Sequence, residues 1–166
     1  MSKAVYFNHG KESGPWGDKI SALAEVARQH GYDAESLDYT GMINPAQRLQ
    51  KLLDSDARRA ESLLLVGSSM GGWVAAEGSA VLRPRGLFLL APAFYIAEFP
   101  SAEPAPSAER VALVHGWSDS VIPFENSVRY AAKFKADLHL VDSDHRLSSQ
   151  LPLISKLFDT FLDLLG

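Results

Sequence analysis

Two apolar patterns take turns along this chain: short continuous runs, and longer stretches with an apolar residue every three or four positions. The runs have the length of buried strands. They are Lys3 to Asn8, Leu63 to Val66, Gly86 to Ala91, Arg110 to His115 and Asp137 to Val141. Ala34 to Tyr39 is a weaker strand candidate, because Glu35 and Ser36 interrupt it. The periodic stretches predict helices. Residues 15–30 put Trp16, Ile20, Leu23 and Ala27 on one face and stop at Gly31, which tolerates the left-handed conformation that ends a helix. Asn44-Pro45 is an N-cap followed by proline at the first helical position, and opens a helix to about Arg59. Met70 to Leu82 and Pro123 to about Lys135 predict two more, and Leu147, Leu151, Ile154, Phe158, Phe161 and Leu165 mark a closing helix.

Six strands separated by helices predict an α/β fold, with a parallel sheet covered on both faces, over a single domain of residues 1–166. Ile96 to Glu109 carries Pro100, Pro104 and Pro106, which oppose helix and favour extended backbone; it reads as a surface connection. Composition narrows the function classes. The net charge of −4 argues against nucleic acid or an anionic membrane as partner, since both call for a basic face. Cysteine is absent, which excludes disulfides, thiolate nucleophiles and cysteine metal sites. Ala4-Val5-Tyr6-Phe7 is too short for a secretory h-region, and no apolar run approaches a membrane span, so a cytoplasmic location is expected.

Chemistry concentrates where strands end. Gly67-Ser68-Ser69-Met70-Gly71 is a G-x-S-x-G pentapeptide between a strand and a helix. A turn that sharp holds its central serine in a strained conformation and lifts Oγ above the sheet edge, while the flanking positions crowd each other and need glycine. The glycine frame makes Ser69 the central residue, not Ser68. A serine needs a base and an orienting acid to become a nucleophile. Asp119, in His115-Gly116-Trp117-Ser118-Asp119, follows one later strand, and His145, in Ser143-Asp144-His145, follows another. In a parallel sheet these ends share one edge. After the first strand comes Asn8-His9-Gly10-Lys11. Acyl transfer needs two N–H donors for the developing oxyanion, and the Met70 and Lys11 amides are the natural pair.

These four motifs together resemble the α/β-hydrolase superfamily over essentially the whole chain, and within it the small lidless esterases. The resemblance implies a minimal α/β-hydrolase sheet, six-stranded and mainly parallel in the order 2-1-3-4-5-6, without the two N-terminal antiparallel strands of larger members. It also implies Ser69 as nucleophile, Asp119 as acid, His145 as base, and Met70 and Lys11 as oxyanion donors. Lysine at position 11 is a departure from the usual apolar or small residue. No segment is long enough to resemble a lipase cap.

Plainer readings stand beside each assignment. Asp119 could cap the turn before the helix at Pro123. Asp142 and Asp144 are alternative acids, but lie too close in sequence to His145 to orient its ring easily. His9 and His115 precede turn glycines and suit packing; His30 ends a helix and His139 lies within a strand. Trp73 suits the core, whereas Trp16, Phe94 and Trp117 lie near strand ends and are candidates to line a substrate pocket. No metal site stands out by ligand spacing, and Gly10 with Gly14 forms no phosphate loop, since no G-K-[ST] follows. The expectation is a cofactor-free serine hydrolase acting on a small-molecule ester. Thioesterase or amidase activity is the alternative within the fold, and a non-catalytic binding protein the alternative outside it. Oligomeric state is left open.

Overall fold

The computed structural model describes residues 2–166. In chain order the elements are β1 (Lys3–Asn8), α1 (Asp18–Gln29), β2 (Asp33–Leu37), α2 (Pro45–Asp54), β3 (Ser62–Ser68), α3 (Met70–Leu82), β4 (Gly86–Leu90), β5 (Arg110–Gly116), α4 (Phe124–Phe134), β6 (Asp137–Val141) and α5 (Leu151–Leu165). Short 3-10 turns at Asp56–Arg59 and Ser148–Gln150 complete them. The strands form one sheet in the order β2-β1-β3-β4-β5-β6, the expected order. Every neighbouring pair is parallel. All C-terminal strand ends therefore lie on one edge, and the loops that follow them share it.

Alternation along the strands sorts the core into two layers. Val5, Phe7, Leu64, Val66, Phe88 and Val114 face the layer that holds α1 and α5. Tyr6, Leu63, Leu65, Leu87, Leu89 and Leu113 face α2, α3 and α4, with Leu52, Trp73 and Tyr130 packed over them. β3 is buried along its whole length, as a central parallel strand must be. Phe88 meets Phe158 at 4.9 Å and Phe161 at 5.3 Å between ring centroids, which locks α5 onto the sheet.

Boundaries move where local chemistry overrides periodicity. Asn44 caps α2, its side-chain oxygen accepting from the Ala46 and Gln47 amides. The helix stops at Asp54, and Ser55, extended, caps the 3-10 turn that follows, so the predicted helix to Arg59 is two pieces. The first helix begins at Asp18, not at residue 15, because Gly14, Pro15 and Trp16 belong to the loop. The closing helix begins at Leu151; Leu147 is left-handed at φ 63° and turns the chain instead of entering the helix. Gly31, at φ 84°, ends α1 as expected. The connection after β4 lies against α3 and α4. Trp73 Nε1 donates to Ser101 O, Tyr130 Oη to Pro104 O, and the Ser107 amide donates to Ser79 Oγ. Among the described residues no helix is long and apolar enough to cross a membrane.

Phe158→Ala leaves a cavity between α5 and β4. It is expected to cost about 3–5 kcal/mol in urea unfolding, the usual loss for a buried phenylalanine. A loss within about 0.5 kcal/mol, the range of surface changes, would mean that α5 is not locked by this contact.

Candidate active site

The tightest place in the molecule is the turn between β3 and α3. Ser69 has φ 55° and ψ −117°, a left-handed conformation that costs a non-glycine residue free energy. Its backbone is held from both sides. The Ser69 amide donates to Leu90 O at 3.0 Å, and its carbonyl accepts from Gly72, Trp73 and Ala93. A Cβ at position 67 would sit 2.2 Å from Gly71 O, and one at position 71 would sit 1.9 Å from Asn8 O. Both glycines are therefore required, and the second presses the Ser69 turn against the end of β1.

Above this turn, His145 Nε2 lies 3.1 Å from Ser69 Oγ and His145 Nδ1 lies 2.7 Å from Asp119 Oδ2. An ionised carboxylate only accepts, so Nδ1 carries the proton and Nε2 accepts from the Ser69 hydroxyl. The structure thus brings Ser69, His145 and Asp119 into one hydrogen-bonded chain drawn from three strand ends. Asp142 and Asp144 take no part in it: Asp144 Oδ1 accepts from the Arg146 amide, and both residues are exposed.

Asp119 is fully covered at its side chain. Burial alone would raise its pKa. The His145 bond and the Ile122 and Val121 amides, each 2.8 Å from Oδ1, outweigh that and hold it below the usual aspartate value. A further donor was not legible in the sequence. His115 Nε2 lies 3.0 Å from Asp119 Oδ2 and 2.9 Å from Ile122 O. Both are acceptors, so Nε2 bears the proton, and Nδ1 accepts from Ser127 Oγ at 2.7 Å. Burial lowers the His115 pKa and keeps it neutral in this role. The four-residue spacing from His115 to Asp119 is the one signal of it that the sequence holds.

The N–H groups of Met70 and Lys11 take no acceptor among the described residues and remain available. Met70 opens α3, where the first amides of a helix have no intrahelical partner. Lys11 follows Gly10, where a Cβ would lie 3.6 Å from both Ser69 Cβ and Ser68 O, so this loop borders the serine. Lys19, from the first turn of α1, donates to Ser68 Oγ at 3.1 Å. Burial, opposed by Asp144 and Asp119, brings its pKa down to about 8.

The aromatic candidates separate. Phe94 is fully buried and stacks on Tyr130 at 4.0 Å, so it belongs to the core and lines no open pocket. Trp16 is exposed, and its ring lies 5.9 Å from the guanidinium of Arg28, in the last turn of α1. Its loop is anchored over β2 through the Ser36 hydroxyl, which donates to Pro15 O. Trp117 is exposed on the loop that carries Asp119 and packs edge-on against Phe124. A hollow of about 720 Å³, lined in part by Leu37, Met42, Gln47 and Lys51, runs along α2 and includes none of the Ser69, His145 and Asp119 group. Among the described residues one set has metal-ligand spacing, His30 with Asp159 and Asp163. It sits where α1 returns to the start of β2, at the opposite edge of the sheet.

Residues 6–163 match the model of the alpha/beta hydrolase family. Among solved structures, a protein of Xanthomonas campestris pv. campestris described as a hydrolase of the alpha/beta superfamily is 34% identical. The match covers 97% of this chain and 98% of that one, with a TM-score of 0.89. The ydeN gene product of B. subtilis shares the fold at TM-score 0.80 and 19% identity, over 98% of this chain and all of that one. A lidless a/b serine hydrolase from Xanthomonas campestris does so at TM-score 0.71 and 16% identity, over 96% and 81% of the two chains. No curated protein matches the sequence.

Asp119 sets an acid limit. Its folded pKa is depressed, so its contribution to stability is complete above the unfolded value of about 3.9 and is lost as pH falls through the lower folded value. Urea unfolding from about pH 6 down to about pH 3 is expected to lose stability more steeply in the wild type than in Asp119→Asn. Parallel curves would deny Asp119 this coupling.

Proposed function

Because the chain belongs to the alpha/beta hydrolase family, we propose that it is a serine hydrolase that cleaves small carboxylic esters through an acyl-enzyme. The observation that carries this reading is the Ser69–His145–Asp119 hydrogen-bonded chain on a strained turn. Ser69 Oγ attacks the ester carbonyl carbon as its proton passes to His145 Nε2. The carbonyl π pair moves onto oxygen, and the Met70 and Lys11 amides stabilise that oxyanion. The intermediate collapses, the bond to the alkoxy oxygen breaks, and His145 returns its proton to the leaving alcohol. Water then repeats the attack on the acyl-enzyme, and the carboxylic acid and free Ser69 are released. Asp119 holds the imidazole in the tautomer that accepts at Nε2 and favours the imidazolium that forms.

Substrate size follows from what surrounds Ser69. The connection after β4 is tied to α3 and α4, and of the three aromatic candidates Trp117 is the one exposed on the loop that carries Asp119. Such a site grips a short acyl group and offers little apolar surface to a long one. We place the enzyme in the cytoplasm, acting on a soluble small molecule without a cofactor.

Ser69→Ala is expected to remove about a million-fold in turnover and to abolish labelling by a fluorophosphonate, with folding unchanged by circular dichroism. Ser68→Ala should keep most activity. Near-normal hydrolysis by purified Ser69→Ala would sink the assignment. In a panel of p-nitrophenyl esters, acetyl and butyryl esters are expected to outrun hexadecanoyl esters. A hexadecanoyl optimum with interfacial activation would show an acyl site larger than the one described.

A further inference from the structure

The loop after β1 is gripped from behind by a buried cation. Arg48, on α2, has no exposed surface. Its Nε donates to Met42 O at 2.7 Å and its Nη1 to His9 O at 2.7 Å. Nη1 and Nη2 both lie 3.3 Å from Gly10 O. The Tyr39 ring lies 5.0 Å from Cζ, and Tyr39 Oη donates to Asn8 Oδ1 at 2.6 Å. No carboxylate comes within ion-pair distance of Arg48 among the described residues. A buried charge without a counter-ion is costly, and guanidinium nonetheless stays protonated. The fold therefore tolerates that cost at a group whose hydrogen bonds all end on backbone carbonyls.

Those carbonyls decide where the loop amides point. The peptide bond is trans, so its C=O and N–H are directed oppositely. Gly10 O is turned toward Arg48, and it also accepts from His9 Nδ1 at 2.7 Å. His9 can donate there because its Nε2 accepts the Tyr39 amide at 2.8 Å, which assigns the tautomer. The N–H of that same peptide belongs to Lys11. It points away from Arg48, in a loop whose Gly10 borders Ser69.

We propose that Arg48 is a positioning residue for ester hydrolysis: through the Gly10 carbonyl it aims the Lys11 N–H at the oxyanion and sets a full positive charge behind that peptide. The proposal rests on the reading of Ser69 and Lys11 given above. A guanidinium at the carbonyl end of the Gly10–Lys11 peptide polarises it and makes the N–H a stronger donor. It also favours the tetrahedral anion over the neutral ester in a covered site. Ground-state binding gains little from it.

The test compares an ester with its thionoester, in which sulfur replaces the carbonyl oxygen. Sulfur is larger and a weak acceptor, so donors set for oxygen serve it poorly. The wild type is expected to prefer the oxygen ester. Arg48→Lys and Arg48→Gln are expected to lower kcat on that ester about ten- to a hundredfold, with KM little changed. Their rates on the thionoester should hardly move, so the preference collapses. Equal losses on both esters, or an intact preference, would overturn the role of Arg48. If Arg48→Gln does not fold, Arg48→Lys decides alone, and if neither folds, Arg48 is a structural residue and the proposal falls. A wild type that does not discriminate the two esters, or an active Ser69→Ala, would instead overturn the oxyanion reading beneath it.

Discussion

One close approach organises this molecule: the backbone at Gly71 lies so near the end of β1 that a methyl group there would overlap the Asn8 carbonyl oxygen at 1.9 Å. Van der Waals repulsion at that distance is prohibitive, so the position must be glycine and the two loops must be pressed together. The turn that presents Ser69 and the loop that presents the Lys11 amide become parts of one rigid edge. Small shifts in either would be felt by the other, because neither has slack.

The same edge is built from polar groups that are buried yet satisfied. Asn8, His9, Arg48 and His115 are all covered. Each finds backbone carbonyls, amides or a hydroxyl. Low local dielectric strengthens these bonds and penalises any that is left unmade. They hold the loops where apolar packing alone would leave them free to slide. The arrangement has two halves: His115 backs the Asp119 carboxylate on one side of Ser69, and Arg48 with His9 backs the loop after β1 on the other.

Much of the fold was readable in advance, for reasons that are local. Apolar runs of strand length alternating with periodic stretches leave little freedom once crossovers must be right-handed. Met70 to Leu82 and Asp137 to Val141 came out with the predicted bounds. The errors fell where a side chain or a single dihedral decides. Ser55 splits a helix by capping a new turn. Leu147 has the right spacing for α5 but adopts a left-handed conformation ahead of it. Phe94 stands near a strand end and still points into the core, because Tyr130 offers it a stacking partner.

For the site, the sequence by itself determined residue types and order: a glycine-framed serine, an aspartate and a histidine, each just beyond a strand, in a chain without cysteine. That much follows from steric demand and from the shared edge of a parallel sheet. Only the tertiary structure decided which aspartate meets His145, which way the imidazole faces, and that Phe94 is buried against Tyr130. It alone revealed Arg48. A lone arginine in a polar helix gives no sign of its partners, because what it bonds are backbone carbonyls, two of them 38 and 39 residues away, and carbonyls are common to every residue. Contacts of that kind are set by how elements pack, not by which residues they contain.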